Sequence, residues 1–296
     1  MKLVTIDARE VAGRPGVLLD DDSILDLTAA PTTLSQSQWI PQSVVSILAA
    51  GEAGLEHAQR LVSAAEQLPP DKLKNLHAAG TLLPLKGTAL MAPVRRPGAI
   101  LLSLPDSGTG FLKSPGTAIG DAATLKIAPT PGQVLSSQGL LAVVLGKAIY
   151  RGSVEDAEAA MSAYTLMIDL ALAETEPEGN HADADVWRNY VDARQFAGAC
   201  PMGPAMITAD EAGVPEQIAA TSRLNGVVKQ QGSLWHGEDS VAVRLAQLSQ
   251  RYAFLPGDIV GFSASPGEAT ALTRIESGDT FSVRLDGIME LSVNIE

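Results

Sequence analysis

Residues 140–145, LLAVVL, form an unbroken apolar run, too short to span a membrane and followed by Gly146 and Gly152. Such a run between turn signals predicts a buried core strand. Ser153 with Asp156 three residues on is a helix start signal, and Ala157, Ala160, Met161, Tyr164, Met167 and Ile168 then recur at helical spacing. The pattern therefore predicts a helix over 154–173, with Asp169 closing its apolar face. A carboxylate buried there needs a metal, a cation or hydrogen bonds to offset its desolvation, which makes Asp169 a site candidate. A solvated helix end is the commoner role for such an acid.

Residues 1–6 read as a first strand, and 16–19 and 24–27 as a hairpin around the acidic turn Asp20, Asp21, Asp22. Apolar positions from Val44 to Ala65 predict a helix over 41–68, stopped by Pro69-Pro70. Residues 71–98 are mixed and carry prolines at 84, 93 and 97, the composition of a connecting segment. Beyond Ala99 strand signals dominate, at 100–102, 139–149, 205–208, 219–224, 258–263, 280–285 and 289–293, with a further helix over 241–251. The expected architecture is α+β: a small N-terminal α/β domain over 1–75, a linker over 76–98, and a β-rich domain over 99–296. Strands and helices do not alternate as in a doubly wound sheet, and no glycine-rich loop links a strand to a helix, so nucleotide binding has no support.

The formal charge is −13, from 34 acidic and 21 basic residues, which repels nucleic acid and anionic membranes. No apolar run approaches the roughly 18 residues of a membrane helix, and MKLVTIDARE has no apolar signal core, so the expected compartment is the cytoplasm. The single cysteine, Cys200, lies between Ala199 and Pro201, where a buried, inert thiol is expected rather than a nucleophile. His57 and His77 read as surface residues, and His236 carries no local signal of a role.

FLKSP at 111–115, GLLAVVLGKAI at 139–149, AYTLMID at 163–169, CPMGP at 200–204, LNG at 224–226, LPGD at 255–258 and SGDTFSVRLDGIMEL at 277–291 stand in one order. In that order and spacing the chain resembles the fumarylacetoacetate hydrolase family. The resemblance implies a mixed β-sandwich roll behind a small N-terminal unit, usually as a homodimer. It also implies small 2-oxo or 1,3-dioxo acids as substrates, for carbon–carbon hydrolysis, decarboxylation, tautomerisation or hydration. In the family a magnesium, manganese or calcium ion grips the oxo acid and stabilises its enolate. Its ligands are a Glu-x-Glu pair ahead of the LAVV strand and the aspartate of the YTxxxD segment.

Asp169 matches that aspartate, but the Glu-x-Glu positions fall on Gln138 and Leu140, an amide and a hydrocarbon. The family's lysine ahead of the PxGP turn falls on Arg194, the aspartate after it on Ala197, and the arginine past the metal aspartate on Ala173. The TGTPxG loop reads FSASPGE at 262–268, keeping Ser265 as a substrate contact, and the NYxxH lid segment is replaced by SLPDSGTG at 103–110. No histidine stands between His77 and His181, so the family's lid base has no counterpart. His181, Asp183 and Asp185 in GNHADADVW are the alternative cluster, as a polarised base, metal ligands or a solvated loop.

The expected protein is thus a divergent family enzyme of a small oxo acid or diketone, with no resident metal unless one is rebuilt around Asp169, Gln138 and the His181 loop. Asp169, Arg194 and His181 are its expected catalytic residues, and Lys113, Gln138 and Ser265 its substrate contacts. A buried Asp169 free of metal would suit a general base or an orienting carboxylate. The alternative is an inactive binding or scaffold subunit, alone or paired with a paralogous subunit.

Overall fold

The computed structural model describes residues 1–8, 13–20, 22–35, 39–104, 108–127, 129–130, 132–173, 184–235, 238–262, 272–285 and 288–296. Two sheets dominate them. The larger runs from Leu82–Pro84 through Ser23–Asp26, Arg14–Leu18 and Lys2–Ile6 to Cys200–Thr208. It continues through Met161–Ala173, Val134–Leu145, Ile259–Phe262, Ile100–Ser103 and Gly110–Lys113. The smaller orders Val227–Ser233, Ala219–Leu224, Thr280–Leu285, Met289–Ile295 and Ala123–Leu125.

The predicted helix over 154–173 is corrected. Helix occupies only Val154–Ala160, opened by a Ser153–Asp156 capping box, and Met161–Ala173 is a strand. The strand is buried on both faces, and both periods fit a segment that is apolar throughout. Its alternation is real: Tyr164, Leu166, Ile168 and Leu170 enter one core cluster while Ala163 and Met167 enter the other. Asp169 consequently lies inside a strand, opposite Gln138, and not at a helix end.

The first cluster fills the space between the sheets, where Leu141, Val143 and Ile168 meet Phe281, Val283 and Val293. Gly139 permits the close approach, because a Cβ there would stand 2.6 Å from Val283. The second cluster covers the opposite face of the large sheet, where Leu140, Ala142, Met167 and Cys200 share a core with Ile47 and Leu61. Those last two come from Val44–Ala49 and Glu52–Glu66, so the single helix expected over 41–68 is two helices. They are parted at Gly51, whose φ of +60° is unfavourable for other residues. His57, expected at the surface, is 3% exposed and meets the Trp39 ring edge-on at 4.8 Å.

Residues 70–98 hold the helix Pro70–Ala78 and the edge strand Leu82–Pro84. The Lys2–Ile6 strand pairs antiparallel with Cys200–Thr208, which joins the opening strands to the large sheet. Among the described residues no helix is long and apolar enough to cross a membrane.

Candidate functional site

Asp169 stands on the face of its strand that also carries Met167, with Gln138 directly across the ladder and Leu140 across from Met167. Two cations close on it. The Lys113 ammonium, at the end of the Gly110–Lys113 strand, donates to Oδ1 at 2.5 Å, and Arg194 Nε donates to Oδ2 at 2.9 Å. The three residues are 1%, 2% and 3% exposed for Lys113, Asp169 and Arg194. Both oxygens of Asp169 thus accept from a cation.

Backbone and neighbouring side chains fix this cluster. Lys113 also donates to the Ala199 carbonyl at 2.8 Å, which accepts from the Leu170 amide as well. Arg194 Nη1 donates to the Tyr190 carbonyl at 2.7 Å, and its guanidinium carbon lies 3.7 Å from the centre of the Tyr190 ring. Gln195 ties the two sides together, donating to the Leu112 carbonyl and accepting from the Ser114 amide. Tyr190 and Gln195 were not singled out from sequence; a polar residue next to Arg194 was the only signal available. Burial raises the Tyr190 hydroxyl above its usual range, with Arg194 acting the other way.

Tyr190 belongs to the helix Ala184–Asp192. Its ring stacks with Trp187 at 5.9 Å, and Phe111 meets both edge-on at 6.0 and 5.5 Å. Phe111 belongs to the second core cluster, and Trp187 and Tyr190 pack against it. Asp185 opens the same helix and pairs with Arg188 at 2.9 Å on an exposed face. His181, Asp183, Ser265 and His236 lie outside the described residues. Among the described residues no three His, Cys, Asp or Glu side chains converge as a metal site.

Cys200 is fully buried near this cluster, and burial pushes its thiol up to about 12. A thiol reagent such as DTNB is expected to label it only under denaturing conditions. Fast labelling of the folded protein at neutral pH would contradict its burial.

A model of the fumarylacetoacetate hydrolase C-terminal domain matches residues 92–296, more than half of the chain. The chain belongs to the fumarylacetoacetate hydrolase family. It is 26% identical over 300 residues to the Bacillus subtilis oxaloacetate tautomerase YisK, covering 95% of each chain. It is 25% identical over 284 residues to the human mitochondrial oxaloacetate tautomerase FAHD2A, covering 90% of this chain and 82% of that one. Among solved structures, maleylpyruvate hydrolase from Sphingobium sp. SYK-6 superposes with a TM-score of 0.71 at 22% identity, covering 100% and 99% of the two chains. The same hydrolase with manganese and pyruvate gives 0.72 at 20% identity, covering 100% and 98%. The α+β roll expected from sequence is thus the family's fold.

Proposed function

We propose that this family member is an enzyme of small 2-oxo or 1,3-dioxo acids that stabilises an enolate with Lys113 and Arg194 rather than with a carboxylate-bound metal. The observation that carries this reading is the capture of both Asp169 oxygens by cations. A hard divalent ion takes six or more oxygens, many of them carboxylates. The family's ligand positions here offer one carboxylate already engaged twice, the amide of Gln138, and the hydrocarbon of Leu140, which is 1% exposed. These residues do not fit such an ion.

Two positive charges against one negative leave the cluster with a net positive charge in a nearly dry setting, where electrostatics act strongly. The ammonium has three donors, two of which are spent on Asp169 and Ala199. Arg194 Nη2 makes no hydrogen bond among the described residues. One N–H of Lys113 and the Nη2 edge of Arg194 therefore supply donors for the substrate's enolate oxygen and carboxylate. Asp169 then acts as a positioning carboxylate that orients both cations, not as the base. His181, three residues ahead of the Tyr190 helix, is the carrier assigned to the proton at carbon. Tautomerisation of an oxaloacetate-like acid is the reaction this reading favours, supported by the names of the two full-length relatives.

A reducing cytoplasm suits a chain whose only cysteine is a buried free thiol. A homodimer is the proposed assembly, supported by Val227 and Val228, exposed on the edge strand Val227–Ser233.

The scaffold reading draws on a specific observation as well: the cluster is almost completely buried, and Leu140, paired with Met167 on the same strand ladder, is 1% exposed in the second core cluster. Enol-to-keto conversion of oxaloacetate, followed by ultraviolet absorbance, separates the two. The enzyme reading expects turnover above the buffer rate and a loss of roughly 10²-fold in kcat/KM for Arg194→Gln, the size of a lost oxyanion donor. A folded wild-type protein with no turnover of oxaloacetate or related oxo acids would support the scaffold.

A further inference from the structure

The parallel strands Ile100–Ser103 and Ile259–Phe262 give the fold two ends. Asp169 lies beyond their C-terminal ends: Phe262 faces Leu141, and the Val134–Leu145 strand runs on to Gln138, opposite Asp169. At their N-terminal ends is a cavity of about 400 Å³, which the proposed chemistry leaves unused. From Val144, which faces Ile259, to Gln138 is six residues, so the cavity is on the order of 20 Å from the Asp169 cluster.

The charge of this cavity runs against that of the chain. The protein carries −13 overall, yet among the described residues the walls bear Arg14, Arg95 and Arg96 and no acidic side chain. Asp26, fully buried behind the wall, pairs by charge with Arg14, its Oδ2 lying 3.1 Å from Nε. Arg96 is exposed. Val44, Val45 and Pro256 supply apolar wall between the arginines. The volume is that of a small-molecule site, and guanidinium groups suit a compact oxyanion, which they bind through paired N–H donors.

We infer that this cavity binds a small metabolite with a compact oxyanion group, a phosphate monoester or a polycarboxylate, on a short apolar body. The inference stands apart from the reading of the Asp169 cluster. Both opening strands and the family domain line the cavity, through Thr5 and Arg14 on one side and Pro256 and Gly257 on the other. A ligand there bridges the two and stabilises the folded state by mass action.

Calorimetric titration of the full chain with inorganic phosphate and, separately, citrate at fixed ionic strength tests this. Binding is expected in wild type and equally in Arg151→Gln, an exposed arginine outside both sites. Arg95→Gln with Arg96→Gln is expected to weaken it about tenfold or more. Val45→Phe, which fills the cavity while keeping every charge, is expected to do the same, and it decides the matter if the double variant fails to fold. Tighter phosphate binding would identify a phosphate monoester, and tighter citrate binding a polycarboxylate. No binding of either anion, undiminished binding in Val45→Phe, or equal weakening in Arg151→Gln would overturn the inference.

Discussion

Asp169→Asn is expected to lower the unfolding free energy by about 3–5 kcal/mol, because it breaks a buried ion cluster by removing one partner. Lys113 and Arg194 are 1% and 3% exposed, and Asp169 is the one acid to which either is paired among the described residues. The amide would still offer one oxygen, but its NH2 group would face a cation and leave two positive charges buried together. Urea unfolding followed by circular dichroism measures the effect. A loss below about 1 kcal/mol, the range of exposed ion pairs, would mean that the cluster is solvated in solution.

Lys113→Met separates the two functional readings. Methionine matches the lysine stem in length and keeps the packing, while Asp169 retains Arg194 and the Ala199 carbonyl retains the Leu170 amide. One carboxylate oxygen loses its partner, so a stability loss of about 1–3 kcal/mol is expected, smaller than for Asp169→Asn. Turnover is expected to fall much further, by about 10²–10³-fold in kcat, because half of the charge facing the enolate is gone. Steady-state kinetics on oxaloacetate alongside urea unfolding checks both parts. Full activity in a folded Lys113→Met protein would remove Lys113 from the chemistry and leave it a purely structural cation.

Particular elements explain how much was legible in the sequence. The strands Ala219–Leu224 and Thr280–Leu285 appear at the residues expected, since turn residues bound them clearly. The Met161–Ala173 strand was misread as helix because it is apolar on both faces, which removes the period that distinguishes the two. Asp169 and Arg194 could be singled out through the ordered family motifs, and the structure brings them together at 2.9 Å. The Lys113 contact with Asp169 spans 56 positions and depends on how the Gly110–Lys113 strand ends, which no local pattern encodes. Tyr190 contributes a backbone carbonyl and a ring face to Arg194, and neither role leaves a signature in residue type. His57 was missed for a related reason: a lone histidine on a helix looks the same whether it meets solvent or the Trp39 ring.

The most direct test of a metal-free oxo-acid site is oxaloacetate turnover by chelator-treated protein, measured with and without added manganese. The proposed chemistry predicts turnover at the same rate in both conditions and its loss in Lys113→Met. Turnover that appears only with manganese, and disappears with Asp169→Asn, would contradict it and return Asp169 to the role of a metal ligand.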